Sequence, residues 1–128
     1  MVEEFKKILN TLKEQDRPVW LFASLKMDEF IDGWSLVFSA PWIDQIDRDL
    51  ELKNTLEIVK NNIPDEKLSS ISRIVFMSKE DHLVEELLKK SSGEEIKGEK
   101  VNGNIIHEGY IIEANPDLVW ERNKTLFK

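Results

Sequence analysis

The sequence predicts a single α+β domain over residues 1–128: a mixed sheet of about five strands covered by helices. The expected order is helix, strand, strand, helix, short helix, strand, helix, strand, strand, with a further helix or a docking tail over 115–128. Three observations carry this reading. Apolar residues recur at helical spacing in several stretches, short apolar runs too brief for buried helices separate them, and Asn102-Gly103 sits between two strand-like runs. A chain of 128 residues suffices for one ordinary domain and is too short for two with separate cores.

Val2, Phe5, Ile8, Leu9 and Leu12 share one side of a helix over residues 2–15, with Lys6, Lys7, Lys13 and Glu14 elsewhere. Pro18 ends the loop that follows. Residues 19–25 are almost continuously apolar and fit a central strand covered on both faces. Residues 34–40 alternate, Trp34, Leu36 and Phe38 against Ser35, Val37 and Ser39, as a half-buried strand would. The segment between them, ending in Asp32-Gly33, fits a wide hairpin loop.

From residue 43 to 63 the pattern is helical but slips in phase. Ile43, Ile46 and Leu50 cluster on one side, while Leu52, Leu56, Val59 and Ile63 fall almost opposite. Either the helix breaks near Leu50, or it carries a second apolar face for a partner chain. Ile63-Pro64 stops the element, and Pro64-Asp65-Glu66 suits the first turn of a short helix. Residues 73–77 read as a strand, followed by Ser78 as a helix cap and by Leu83, Val84, Leu87 and Leu88 as a buried stripe. With the strand after it, this run suggests a crossover unit.

Asn-Gly favours a two-residue type I′ turn. Residues 94–113 then form a hairpin in which Lys100 opposes Ile105, Gly98 opposes His107, Lys97 opposes Glu108 and Ile96 opposes Gly109. One face carries Ile96, Ile105, His107 and Ile111, and the other Glu95, Lys97, Glu99, Ile106, Glu108 and Tyr110.

The formal charge of −7 lies in residues 28–66, which hold ten acids against three bases. Such a balance opposes attraction to phosphate backbones, and no basic block interleaved with aromatics is present, so nucleic acid is excluded as the main ligand. The acidic run Asp28, Glu29, Asp32, Asp44, Asp47, Asp49 and Glu51 reads first as a solvated face and second as a surface for a basic protein. No apolar stretch is long enough to span a bilayer, Glu3 and Glu4 do not fit a signal peptide, and the chain has no cysteine. The expectation is a cytoplasmic protein without membrane partners.

No motif assigns an activity. Phosphate loop, dinucleotide fingerprint, nucleophile elbow, zincin helix and calcium loop are all missing, and neither a cofactor nor a metal site is expected. His82 falls opposite the apolar stripe of its helix and reads as a surface residue. Glu95-x-Lys97 resembles the acid-x-lysine element of metal-dependent nucleases, which makes Glu95, Lys97, Glu108 and His107 the catalytic set of an alternative hydrolase or nuclease-like reading. Lys97 is expected to pair across the ladder with Glu108, and the predicted register places His107 on the opposite face from Glu95 and Lys97.

Four tryptophans are many for this length. The run Trp34-Ser35-Leu36-Val37-Phe38-Ser39-Ala40-Pro41-Trp42, followed by Ile43-Asp44, resembles a segment shared by short uncharacterised prokaryotic proteins; the resemblance implies no activity. Trp20 and Trp34 sit inside strands and read as core. Trp42, together with Leu52, Leu56 and Val59 and with Trp120 and Phe127 of the tail, forms the expected interface. The preferred reading is a non-enzymatic interaction module that self-associates as a homo-oligomer, such as a homodimer, or binds another protein.

Overall fold

The computed structural model describes residues 1–27, 33–43 and 47–121. The elements run α1 (Val2–Glu14), β1 (Leu21–Met27), β2 (Trp34–Ser39), α2 (Arg48–Asn62), α3 (Asp65–Leu68), β3 (Ile71–Phe76), α4 (His82–Leu87), β4 (Glu95–Val101) and β5 (Asn104–Ala114). This is the α+β order the periodicities predict. The five strands form one mixed sheet in the order β3-β2-β1-β5-β4, with β2–β3 parallel and the other pairs antiparallel. Among the described residues no helix is long and apolar enough to cross a membrane.

The centre of the sheet is β1, whose residues are all buried except Lys26. Its side chains alternate between two cores. Phe22 joins Phe5, Ile8, Leu12, Trp34, Leu36, Phe38 and Trp42 on the side of α1 and α2, whereas Leu21, Ala23, Leu25 and Met27 join Leu83, Val84 and Leu87 of α4 on the other. Helices therefore cover both faces. For this reason β2 is buried at every position rather than half-buried: Ser35, Val37 and Ser39 lie under the second layer, not in water.

The crossover reading of the β3–α4–β4 run is corrected. These two strands occupy opposite edges of the sheet, and the parallel crossover is instead β2–α2–α3–β3. The cap of α4 also differs. Asp81 accepts from the Leu83 amide at 2.8 Å and starts the helix, while the Ser78 hydroxyl accepts from the Glu80 amide in the preceding turn. Both are capping residue types, and the later one wins because the stripe it introduces begins at Leu83.

The Asn102-Gly103 turn forms as expected, with φ of 47° and 81°, and pairs Val101 with Asn104, Lys100 with Ile105, Lys97 with Glu108 and Ile96 with Gly109. The face assignment holds only to the middle of the hairpin. Gly98 adopts φ +58°, and the β1–β5 register jumps from Lys26–Glu108 to Met27–Ile106, leaving His107 as the extra residue. The bulge turns Ile106 inward beside Ile96 and Ile111 and leaves Ile105 and His107 exposed.

Residues 115–121 are a docked turn, not a helix: the Trp20 indole donates to the Leu118 carbonyl at 3.0 Å and the Lys79 ammonium to the Pro116 carbonyl at 2.7 Å. Trp42 is the clearest departure from expectation. It is fully buried, stacks edge-on against Phe76 at 6.0 Å, and donates its indole N–H to the Pro18 carbonyl at 2.6 Å. Its ring is core and its one polar atom is satisfied, so it contributes nothing to an exposed surface.

Trp42→Ala is expected to destabilise the fold by about 3–5 kcal/mol through lost contacts and the cavity left behind. Urea denaturation measures this; a change below about 1 kcal/mol would place the ring outside the core.

Candidate functional site

Asp47 starts α2, its carboxylate accepting from the amides of Asp49 at 3.0 Å and Leu50 at 3.3 Å, and Ile63 in extended conformation before Pro64 ends it. The helix is unbroken over Arg48–Asn62 but does not reach back to Ile43, which lies in a turn before the extended Asp47, so part of the phase slip expected near Leu50 marks the helix start. Its buried stripe is Glu51, Thr55, Ile58 and Val59, half of which is polar. Glu51, only 4% exposed, accepts from Arg17 Nε at 2.7 Å, and the same guanidinium lies 5.8 Å from the Trp42 ring. Thr55 bonds back to the Glu51 carbonyl at 2.9 Å. A polar stripe is thus turned inward and satisfied, while Leu50 is 58% and Leu52 and Leu56 are 40% exposed.

Leu52, Leu56 and Val59 form one wall of an apolar groove of about 430 Å³, closed by Leu68 of α3 and by Ile71 and Ile74 of β3, with Lys60 and Arg73 as its charged members. Of the expected interface residues, Leu52 and Leu56 lie exposed in this groove. Val59 lines its floor but is itself buried, so it shapes the surface more than it presents one. Trp42 is sealed in the core, and Trp120 is half-buried with its indole donating to the Asp16 carbonyl at 2.9 Å. Phe127 lies outside the described residues. The sequence reading missed Leu68, Ile71 and Ile74. No local signal marks them: Ile-Ser-Arg-Ile-Val-Phe holds one charge and reads as an interior strand until the sheet order places it at an edge.

That strand pairs on one side only among the described residues. Met77 N–H donates to the Phe38 carbonyl, so the backbone groups of Arg73 and Val75 face β2 and those of Ile74 and Phe76 face outward, while Ser72 is the extra residue of a register shift. The Arg48 guanidinium donates to the Phe76 carbonyl at 3.4 Å, and Arg73 Nε to Ser35 Oγ at 3.1 Å. The other edge, β4, is guarded by Glu95, Lys97, Glu99 and Lys100.

The alternative catalytic set lies on the hairpin at that guarded edge, across the sheet from the groove. Lys97 pairs with Glu95 at 3.3 Å along its own strand, not with Glu108 as expected. Glu108 instead meets Lys26 at 3.9 Å and accepts from the Tyr110 hydroxyl at 3.3 Å. Although Lys97 and Glu108 are backbone neighbours, each lysine settles on a different carboxylate, and Glu108 takes a further hydrogen bond from the Tyr110 hydroxyl. His107 is exposed at the bulge. Among the described residues no group of three or more histidines and carboxylates is placed to hold a metal ion. Burial first, and then the charges of Glu108 and Glu95, push the Tyr110 phenol above its ordinary range.

No protein-family model, curated protein or solved structure matches the chain.

Tyr110 is the single tyrosine, so phenolate absorbance reports on it alone. The fold favours the neutral phenol, which keeps its proton at pH values where the unfolded chain, titrating near about 10, releases it; stability therefore falls as pH rises above that value. The native midpoint is expected above that of the urea-unfolded chain, and Glu108→Gln should lower it. Coincident native and unfolded midpoints would contradict the arrangement.

Proposed function

We propose that this domain is a non-enzymatic interaction module that docks a protein through the groove between α2 and β3. The observation that carries the reading is the inversion of α2: polar Glu51 and Thr55 are buried and satisfied while Leu52 and Leu56 face water beside Ile71 and Ile74. An apolar groove next to an open strand edge offers both modes by which folded domains take up peptide elements, a helix laid into the groove or a strand added to the sheet. Of the hairpin groups that would serve an enzyme, Glu95 pairs with Lys97 and Glu108 with Lys26, His107 is exposed, and all lie across the sheet from this groove.

Leu56→Lys separates a docking role from a folding role. A side chain that serves a partner can be changed with little effect on the isolated fold, so thermal and urea stability should move by less than about 1 kcal/mol. Displayed random peptides selected on sparsely immobilised wild-type protein are expected to include apolar sequences that no longer bind the Leu56→Lys protein. Peptides that bind both proteins equally, or a variant that unfolds, would refute the docking role.

A further inference from the structure

We infer that the groove receives a second copy of this chain, the two copies pairing antiparallel along β3 about a two-fold axis near Ile74. This rests on the groove being the docking site and names its occupant. The first argument is the backbone. Ile74 and Phe76 point their peptide groups away from β2, Ser72 is the extra residue of the β2–β3 register shift, and the Phe76 carbonyl accepts from Arg48. An antiparallel strand centred on Ile74 would meet both peptide groups of Ile74, Ile74 facing Ile74 and Ser72 facing Phe76. A centre one residue earlier would set Arg73 against Arg73 and is disfavoured by like charge.

The second argument is self-complementarity of α2. Since the strand order keeps both α2 helices on one face of the joined sheet, the axis sets them side by side and antiparallel, with Leu52 and Leu56 of each turned toward the other. At helical spacing Asp49 precedes Leu52 and Lys60 follows Leu56 on the same outward strip. The axis brings the acidic end of one helix to the basic end of the other, whereas a parallel arrangement would oppose Lys60 to Lys60. The third argument is the contrast between edges: β4 carries Glu95, Lys97, Glu99 and Lys100, which repel an added strand, and β3 carries Arg73 as its one charge.

The absence of cysteine allows a direct test. In the paired geometry the two Ile74 Cα atoms lie ~5.5 Å apart, within disulfide reach, and the two Ser72 Cα atoms about 14 Å apart. Under mild oxidation Ile74→Cys should cross-link to a dimer and Ser72→Cys should not. Analytical ultracentrifugation should show a wild-type dimer, weakened about 30-fold or more by Leu56→Lys. It should also be weakened by Asp49→Lys and restored toward wild type in the Asp49→Lys/Lys60→Asp double variant. A wild-type chain that stays monomeric to hundreds of micromolar overturns the self-pairing, and the peptide selection then decides separately whether the groove docks a different protein. A dimer that survives Leu56→Lys, or one in which Ile74→Cys fails to cross-link, overturns the geometry.

Discussion

The central placement of β1 is the constraint from which the rest of the architecture follows. Its residues are buried on both sides of the sheet, so it needs a strand on each flank and helices above and below. The antiparallel partner β2 is supplied by the next segment of chain, but the other flank is filled by β5, from the far end of the sequence. Once β5 is committed there, its hairpin mate β4 must be one edge and β3 the other. The two edges then face the same hazard, a row of unpaired peptide groups, with different side chains. One is lined by Glu95, Lys97, Glu99 and Lys100. The other carries Arg73 as its single charge and shifts register at Ser72.

The energetics of α2 point the same way. Burying Glu51 removes a carboxylate from water, a cost offset only because Arg17 meets it with a short bond and stands over Trp42. Exposing Leu52 and Leu56 leaves unused a part of the roughly 1.5–3 kcal/mol that each full leucine burial supplies. Rotating the helix to bury both leucines would bring them into the core and release Glu51 to solvent, yet the chain does not adopt that arrangement. The Asp47 cap, the Arg17–Glu51 pair and the contacts of Ile58 and Val59 fix the rotation, and the unused apolar area is what association would recover.

Legibility from sequence follows the range of the interaction involved. The order of elements, the α1 stripe and the Asn102-Gly103 register depend on neighbours a few residues apart, and all were readable. The burial of Trp42 was not, because it is decided by Pro18 and Phe76, distant in the chain and adjacent only once β1, β2 and β3 are assembled. The second apolar face of α2 was visible as a phase slip, but its other wall on β3 was not, since nothing local marks a strand as an edge. His107 shows the same limit at smaller scale. Alternation placed it inward, and a bulge in β5, seen only against β1, placed it outward.

The acidic excess takes on a different meaning once the elements are in place. Asp47 caps α2, Asp49 occupies its first turn, Glu51 holds Arg17, and Asp65 and Glu66 open α3. Negative side chains at helix starts interact favourably with the unpaired amides there, so these five carboxylates are accounted for by the helices they begin. Asp28, Glu29, Asp32 and Asp44 of the same segment lie outside the described residues. Asp47, Asp49 and Glu51 thus serve the placement of α2, and α2 in turn presents Leu52 and Leu56 to solvent.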